Sequence, residues 1–190
     1  MRAIHTPFIK RLYHLTPLLF FLVVQGCATN SALQFPTYAK YEGEVNQHTR
    51  FIRAESSRIF HILTLQKTFN TICPKGTTVF HETPLPFQVG TLVKTQVDNR
   101  FKLTWNSRVE ELIPDEKIRL RFIDGFFAGG TEFWELEAQS AGTLIKHTII
   151  IQPPGILKKL AWNLKVRRKH DTMVETVLDN LKKAAGTHQD

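Results

Sequence analysis

Residues 101–122 read FKLTWNSRVEELIPDEKIRLRF, and this stretch decides the fold class. Phe101, Leu103, Trp105, Ser107 and Val109 alternate with Lys102, Thr104, Asn106 and Arg108. Ile118, Leu120 and Phe122 then alternate with Arg119 and Arg121. A period of two sends successive side chains to opposite faces, so these are strands of a sheet with one apolar and one wet face. The pattern extends in both directions. Thr78 to Glu82 and Thr91 to Val97 read as strands on either side of a Pro84-Leu85-Pro86 loop. Trp134 and Leu136 alternate with Glu135 and Glu137, and Gly142 to Ile151 closes the series. Upstream, Thr49 to Ala54 is a short strand, followed by a helix start at Glu55-Ser56-Ser57 with Ile59, Phe60 and Leu63 at helical spacing. A second short helix is expected from Thr68 to Cys73, ended by Pro74 and Gly76.

After Gln152-Pro153-Pro154-Gly155 the period changes. Ile156, Leu157, Leu160, Leu164, Val174, Val177, Leu178 and Leu181 fall on helical spacings with polar residues between. The expectation is one long C-terminal helix, bent near Arg167 to His170, lying over the apolar face of the sheet.

This order resembles the START-like superfamily (SRPBCC) of polyketide cyclases, dehydrases and lipid transporters. The resemblance rests on the opening strand followed by Ser56–Leu65, Gly90 before a strand, and Arg108-Val109-Glu110-Glu111-Leu112-Ile113-Pro114. It continues with Gly129-Gly130-Thr131 leading to Trp134-Glu135-Leu136, Gly142-Thr143, and Leu178-Asp179-Asn180-Leu181-Lys182. It covers residues 48–184 and implies an α+β helix-grip fold: a curved antiparallel sheet wrapped around the C-terminal helix, with a cavity between them. It supports a fold, and fold does not decide function.

The first residues read differently. Met1 to His14 carry three basic residues and no acid, and LTPLLFFLVV at 15–24 is an apolar run half the length of a membrane span. Residues 1–27 are therefore expected to be a secretory signal. Val24-Gln25-Gly26-Cys27 resembles the lipobox of bacterial lipoproteins, with Gln25 departing from the usual small residue. It implies acylation of Cys27; cleavage after Ala28 is the alternative. Residues 28–47 read as a tether, 48–184 as the folded domain and 185–190 as a tail. The expected localisation is the cell envelope, lipid-anchored and facing the periplasm, on the outer membrane by the absence of Asp after Cys27.

The 190-residue chain has a formal charge of +8; losing Arg2, Lys10 and Arg11 with the signal leaves +5. No nucleic-acid motif accompanies that charge, so no nucleic-acid partner is expected. Two cysteines, Cys27 and Cys73, imply no disulfide framework, and Cys73 reads as a buried thiol. The eight histidines show no metal-ligand spacing, so neither a metal nor a cofactor is expected. No catalytic constellation stands out; Glu110-Glu111 reads as solvated.

What the sequence offers instead is apolar bulk. Phe101, Leu103, Trp105, Leu120, Phe122, Trp134 and Leu136 should face the last helix, and Phe126 and Phe127 sit on a glycine-flanked loop at 125–130. These nine are the expected ligand-cavity residues, with Arg121, His147 or Thr131 orienting a ligand. In GILKKLAWNLKVRRKH at 155–170, Lys158, Lys159, Trp162, Arg167 and Arg168 are expected to meet anionic headgroups. The expected protein is a monomeric, membrane-tethered binder or carrier of a lipid or other hydrophobic small molecule. The alternatives are a cyclase or dehydratase using the same cavity, and a non-catalytic envelope interaction module.

Overall fold

The computed structural model describes residues 36–98 and 102–186. Seven strands form one antiparallel sheet: β1 (Glu44–Ile52), β2 (Thr77–His81), β3 (Leu92–Val97), β4 (Leu103–Ile113), β5 (Lys117–Phe122), β6 (Thr131–Gln139) and β7 (Gly142–Ile151). Their order across the sheet is β1-β7-β6-β5-β4-β3-β2, so β2 to β7 are a meander and β1 pairs back onto the last strand. Two short helices, α1 (Ser56–Thr64) and α2 (Gln66–Ile72), carry the chain from one sheet edge to the other. After β7 come α3 (Gly155–Ala161), a π-helical turn at Trp162–Val166, and α4 (Arg167–Gly186). The α+β helix-grip architecture implied by the resemblance is the one observed.

The period-two pattern places side chains as it should. Val93, Val109, Ile118, Leu120, Trp134, Leu136 and Ile145 point inward and meet Val174, Val177, Leu178 and Leu181 of α4 in the main core, together with Ile59, Ile62, Leu63 and Ile72. A bulge between Val109 and Glu111 shifts the register of β4 by one. Glu110 and Glu111 therefore both face outward, where Arg119 reaches each and Lys117 reaches Glu111. Such a bulge also bends its strand, which helps the sheet curl.

The outer face is not wholly wet. Tyr38, Val45, Phe133 and Ile150 form a small apolar cluster there, with Tyr41 packed against it. The hydroxyl of Tyr38 donates to the Glu135 carboxylate, and burial followed by that bond raises its pKa to about 12. Residues from Pro36 onward are thus part of the domain, and the folded part starts earlier than the expected 48. At the other end α4 runs through Ala185, which is buried, into the stretch expected to be tail. The expected signal and lipobox, Cys27 included, lie outside the described residues.

The turn from β6 to β7 requires glycine. Gly142 has φ +149°, and a Cβ there would stand 2.2 Å from the Ile52 carbonyl oxygen of β1. Gly142→Ala is expected to cost roughly 2–4 kcal/mol, by strain and loss of the close β1–β7 approach. A urea unfolding midpoint checks it; an unchanged midpoint would mean the turn relaxes freely.

Candidate functional site

The concave face of the sheet and α4 do not close on each other completely. Between them lies one lobe of a crevice, about 70 Å³, and a second lobe of about 50 Å³ adjoins it under Leu63 of α1 and Phe69 of α2. Phe69, Val79, Thr95, Glu132 and Trp134 wall both. Trp105, Phe122, Phe127 and Ile149 line the larger lobe from the sheet side, and His170, Met173, Val174 and Val177 from α4. A cavity of about 150 Å³ admits one benzene-sized molecule, so a lipid chain requires this crevice to widen.

Five of the nine expected cavity residues, Trp105, Leu120, Phe122, Phe127 and Trp134, line the crevice. The others do not. Leu103 is 48% exposed at the start of β4, beyond the reach of α4. Leu136 points inward but is buried in the main core. Phe126 packs against Phe127 at 5.4 Å rather than on the crevice wall. Phe101 lies outside the described residues. Of the three polar candidates only His147 faces inward. Arg121 pairs across strands with Thr131, and Thr131 with Ile150, which belongs to the outer-face cluster, so both are on the convex side.

His147 does not stand alone. Its Nε2 lies 3.1 Å from Glu132 Oε1, and Glu132 Oε1 also accepts a bond from Trp134 Nε1 at 2.9 Å. His147 packs at a tilt against Trp134 with ring centroids 4.3 Å apart, and its Nδ1 is buried without a hydrogen-bond partner. Glu132 escaped the sequence reading because it sits among alternating glutamates. The signal available was parity: Glu132, Trp134 and Leu136 share a face, and Glu135 and Glu137 share the other. Cys73, expected to be buried, is half-buried at the border of the larger lobe, and burial raises its thiol pKa to about 11.

A second polar group lies where β1 meets α4. Asn46 and His48 reach Asp171, His48 and Arg50 reach Glu175, and Arg50 also reaches Asp179. The contact with His170, together with the Asn46 bond, holds the Asp171 carboxyl down at about 2. His170 is buried, which lowers its pKa, and its ring stands between this seam and His147, 5.8 Å away by centroids. None of these pairings follows from spacing along the chain.

Three residues of the larger lobe's wall, Phe122, Phe127 and Ile149, are backed by further apolar side chains. Phe122, Phe127, Ile149, Ile151 and Trp162 make a second buried cluster, with Phe127 edge-on to Trp105 and to Trp162. Gly125, at φ +76°, admits this loop: a Cβ there would stand 2.8 Å from Trp105 Cβ. This overturns one expectation. Trp162 does not face a membrane; it is 0% exposed. The π turn that begins at Trp162 inserts an extra residue into the helical period and swings the indole to the inside. The side chains left outside are Ile156 (85% exposed), Leu157 (83%), Leu160 (52%) and Leu164 (69%), which the simple helical period had assigned to the core. They share their surface with exposed Lys158, Lys159, Lys165, Arg167, Arg168 and Lys169. Arg167 to His170, the expected place of the bend, are regular α-helix, and the irregularity is the π turn at Trp162–Val166 just before them.

No family model matches the sequence, and no curated protein matches it. Solved structures do. Protein TTHA0849 from Thermus thermophilus is similar at a TM-score of 0.63 and 16% identity, over 75% of this chain and 97% of that one. The ginseng major latex-like protein 151 from Panax ginseng aligns at 0.60 and 10%, over 75% and 97%. A subunit of the Aha1 dimer from Colwellia psychrerythraea aligns at 0.58 and 15%, over 77% and 99%. At such identities the likeness is one of fold: the chain has the START-like helix-grip fold.

Proposed function

We propose that the protein is a membrane-surface carrier that takes an amphipathic or apolar small molecule into the crevice between sheet and α4. One observation carries this reading. The segment 155–166 is read as a stopper acting through Phe127: on its inner side Trp162 packs behind that wall residue, and on its outer side Ile156, Leu157, Leu160 and Leu164 are offered to solvent. An apolar ridge flanked by lysine and arginine suits the headgroup region of an anionic bilayer. Burying that ridge in lipid would favour a displaced segment, and displacement withdraws the stopper. No helix among the described residues is long and apolar enough to cross a membrane, so the ridge is read as lying in the interface. If Cys27 is acylated, the nine residues to Pro36 keep the domain within about 30 Å of the anchor.

Native mass spectrometry of residues 36–190, followed by solvent extraction, tests the reading. A stoichiometric co-purifying apolar molecule, or uptake of one from vesicles, is the expected result. An empty protein that takes up no fluorescent fatty acid would overturn it and favour the interaction module, with a crevice simply left by imperfect packing.

A second reading has its own observation. The Glu132–His147 pair, inside an apolar crevice with His147 Nδ1 unpartnered, is the acid–base pair that a cyclase or dehydratase needs. Turnover of a polyketide-like or hydroxyacyl substrate that His147→Gln abolishes would establish it; no candidate substrate turned over would leave carrier activity alone.

A further inference from the structure

The side chains of His48, His170 and Asp171 are the strongest cluster outside the crevice itself. One ligand atom from each lies within 4.8 Å of the others. His48 comes from β1, whereas His170 and Asp171 come from the first turn of α4. We propose that these three residues bind a first-row divalent cation, with Zn²⁺ the best match to two imidazoles and one carboxylate.

Three observations carry this. First, His48 Nε2 is 3.2 Å from Asp171 Oδ1, and His170 Nδ1 is 4.0 Å from the same oxygen. Ligands of a tetrahedral zinc ion stand about 3.3 Å apart, given Zn–N lengths of about 2.0–2.1 Å. Small side-chain movements convert one arrangement to the other. Second, His170 is 7% exposed and its Nδ1 has no hydrogen-bond partner. A buried nitrogen left so costs stability unless something occupies the space it faces. Third, an outer layer of bonds fixes the ligands. His48 Nδ1 lies 2.6 Å from Glu175 Oε1, which orients the ring with Nε2 toward Asp171. Asn46 Nδ2 donates to Asp171 Oδ1 at 2.9 Å. A carboxylate behind a histidine is the usual support of a metal-bound imidazole.

The local charge is favourable as well. Asp171, Glu175 and Asp179 face this seam against one guanidinium, that of Arg50. Arg167, one turn from the site, is turned away to Glu44 at 2.6 Å. His48 Nε2 also lies 3.1 Å from Asn46 Oδ1, so the Asn46 side chain spans His48 and Asp171. Three protein ligands leave the remaining position for water or for a polar group of a bound molecule.

The test uses the full chain in detergent with Cys27→Ser, stripped with a chelator and titrated with Zn²⁺ by calorimetry and with Co²⁺ by visible absorption. One ion per chain is expected, with a Kd below about 1 μM and tetrahedral Co²⁺ absorption. His48→Gln and Asp171→Asn should weaken binding at least 100-fold. Should either fail to fold, Glu175→Gln, which keeps all three ligands and removes the carboxylate that supports His48 and pairs with Arg50, should weaken it about 10–100-fold. No stoichiometric ion, or the same affinity in the folded variants, would overturn the site and leave an ordinary ion-paired seam.

Discussion

Replacing Ile156, Leu157, Leu160 and Leu164 together by serine is expected to lower partition onto phosphatidylglycerol-containing vesicles about 1000-fold, with little change in stability. The arithmetic starts from burial. A fully buried Leu or Ile side chain contributes about 1.5–3 kcal/mol. A helix lying in the interface buries only part of each, so about 1 kcal/mol apiece is the working figure, and four give about 4 kcal/mol, or three decades in partition. Stability should hardly move, because all four side chains are already exposed in the folded protein and surface changes fall within about 0.5 kcal/mol each. Co-sedimentation of residues 36–190 with vesicles, beside a urea unfolding curve, measures both. Neutralising Lys158, Lys159, Arg168 and Lys169 to glutamine serves as the companion variant. It should weaken binding by roughly 1 kcal/mol per charge at low salt and much less at high salt. Unchanged vesicle binding by the serine variant would mean that the ridge touches no membrane.

The way this ridge was misread in the sequence shows what period alone can carry. In the sheet, parity is enough. From Leu103 to Ile151 the alternation identified the strands, and only the bulge at Val109–Glu111 broke the count, by turning Glu110 and Glu111 to one side. Helical period is a weaker constraint, because one extra residue rotates everything beyond it by about 100°. The π turn at Trp162 does this, and so exchanges Trp162 for the leucines at the protein's interior. The His48–His170–Asp171 cluster lay beyond reach for a different reason. It joins segments at opposite ends of the domain, and nothing in either segment reads as a metal motif. A trace was present nevertheless. Asp171, Glu175 and Asp179 recur every four residues, about 6 Å along a helix, and Asn46, His48 and Arg50 recur every two, about 6.8 Å along a strand. The two ladders match in pitch, and in the structure they face each other. Recognising the match required knowing that the first strand lies beside the last helix, which is a property of the fold.

Trp162→Ala should cost roughly 3–5 kcal/mol of folding stability, the range for removing a buried indole, and should at the same time increase uptake of a fluorescent fatty acid. The indole is wholly buried against Phe127, so its loss leaves a void behind that residue of the larger lobe's wall, into which Phe127 can withdraw. Apolar voids of that kind stay dry and accept apolar ligands. Trp162→Phe separates size from polarity. Trp162 Nε1 is buried with no hydrogen-bond partner, so the indole carries a desolvation cost of about 1–3 kcal/mol that phenylalanine does not. The Phe variant should therefore lie within about 1 kcal/mol of the native protein, on either side. An indole whose N–H finds no partner when inside, but would find water or a headgroup when outside, suits a segment that moves. If stability and uptake both stay unchanged in Trp162→Ala, the aromatic cluster neither closes the crevice nor holds the segment down. If stability falls without any gain in uptake, Trp162 is core packing alone and the route into the crevice lies elsewhere along α4.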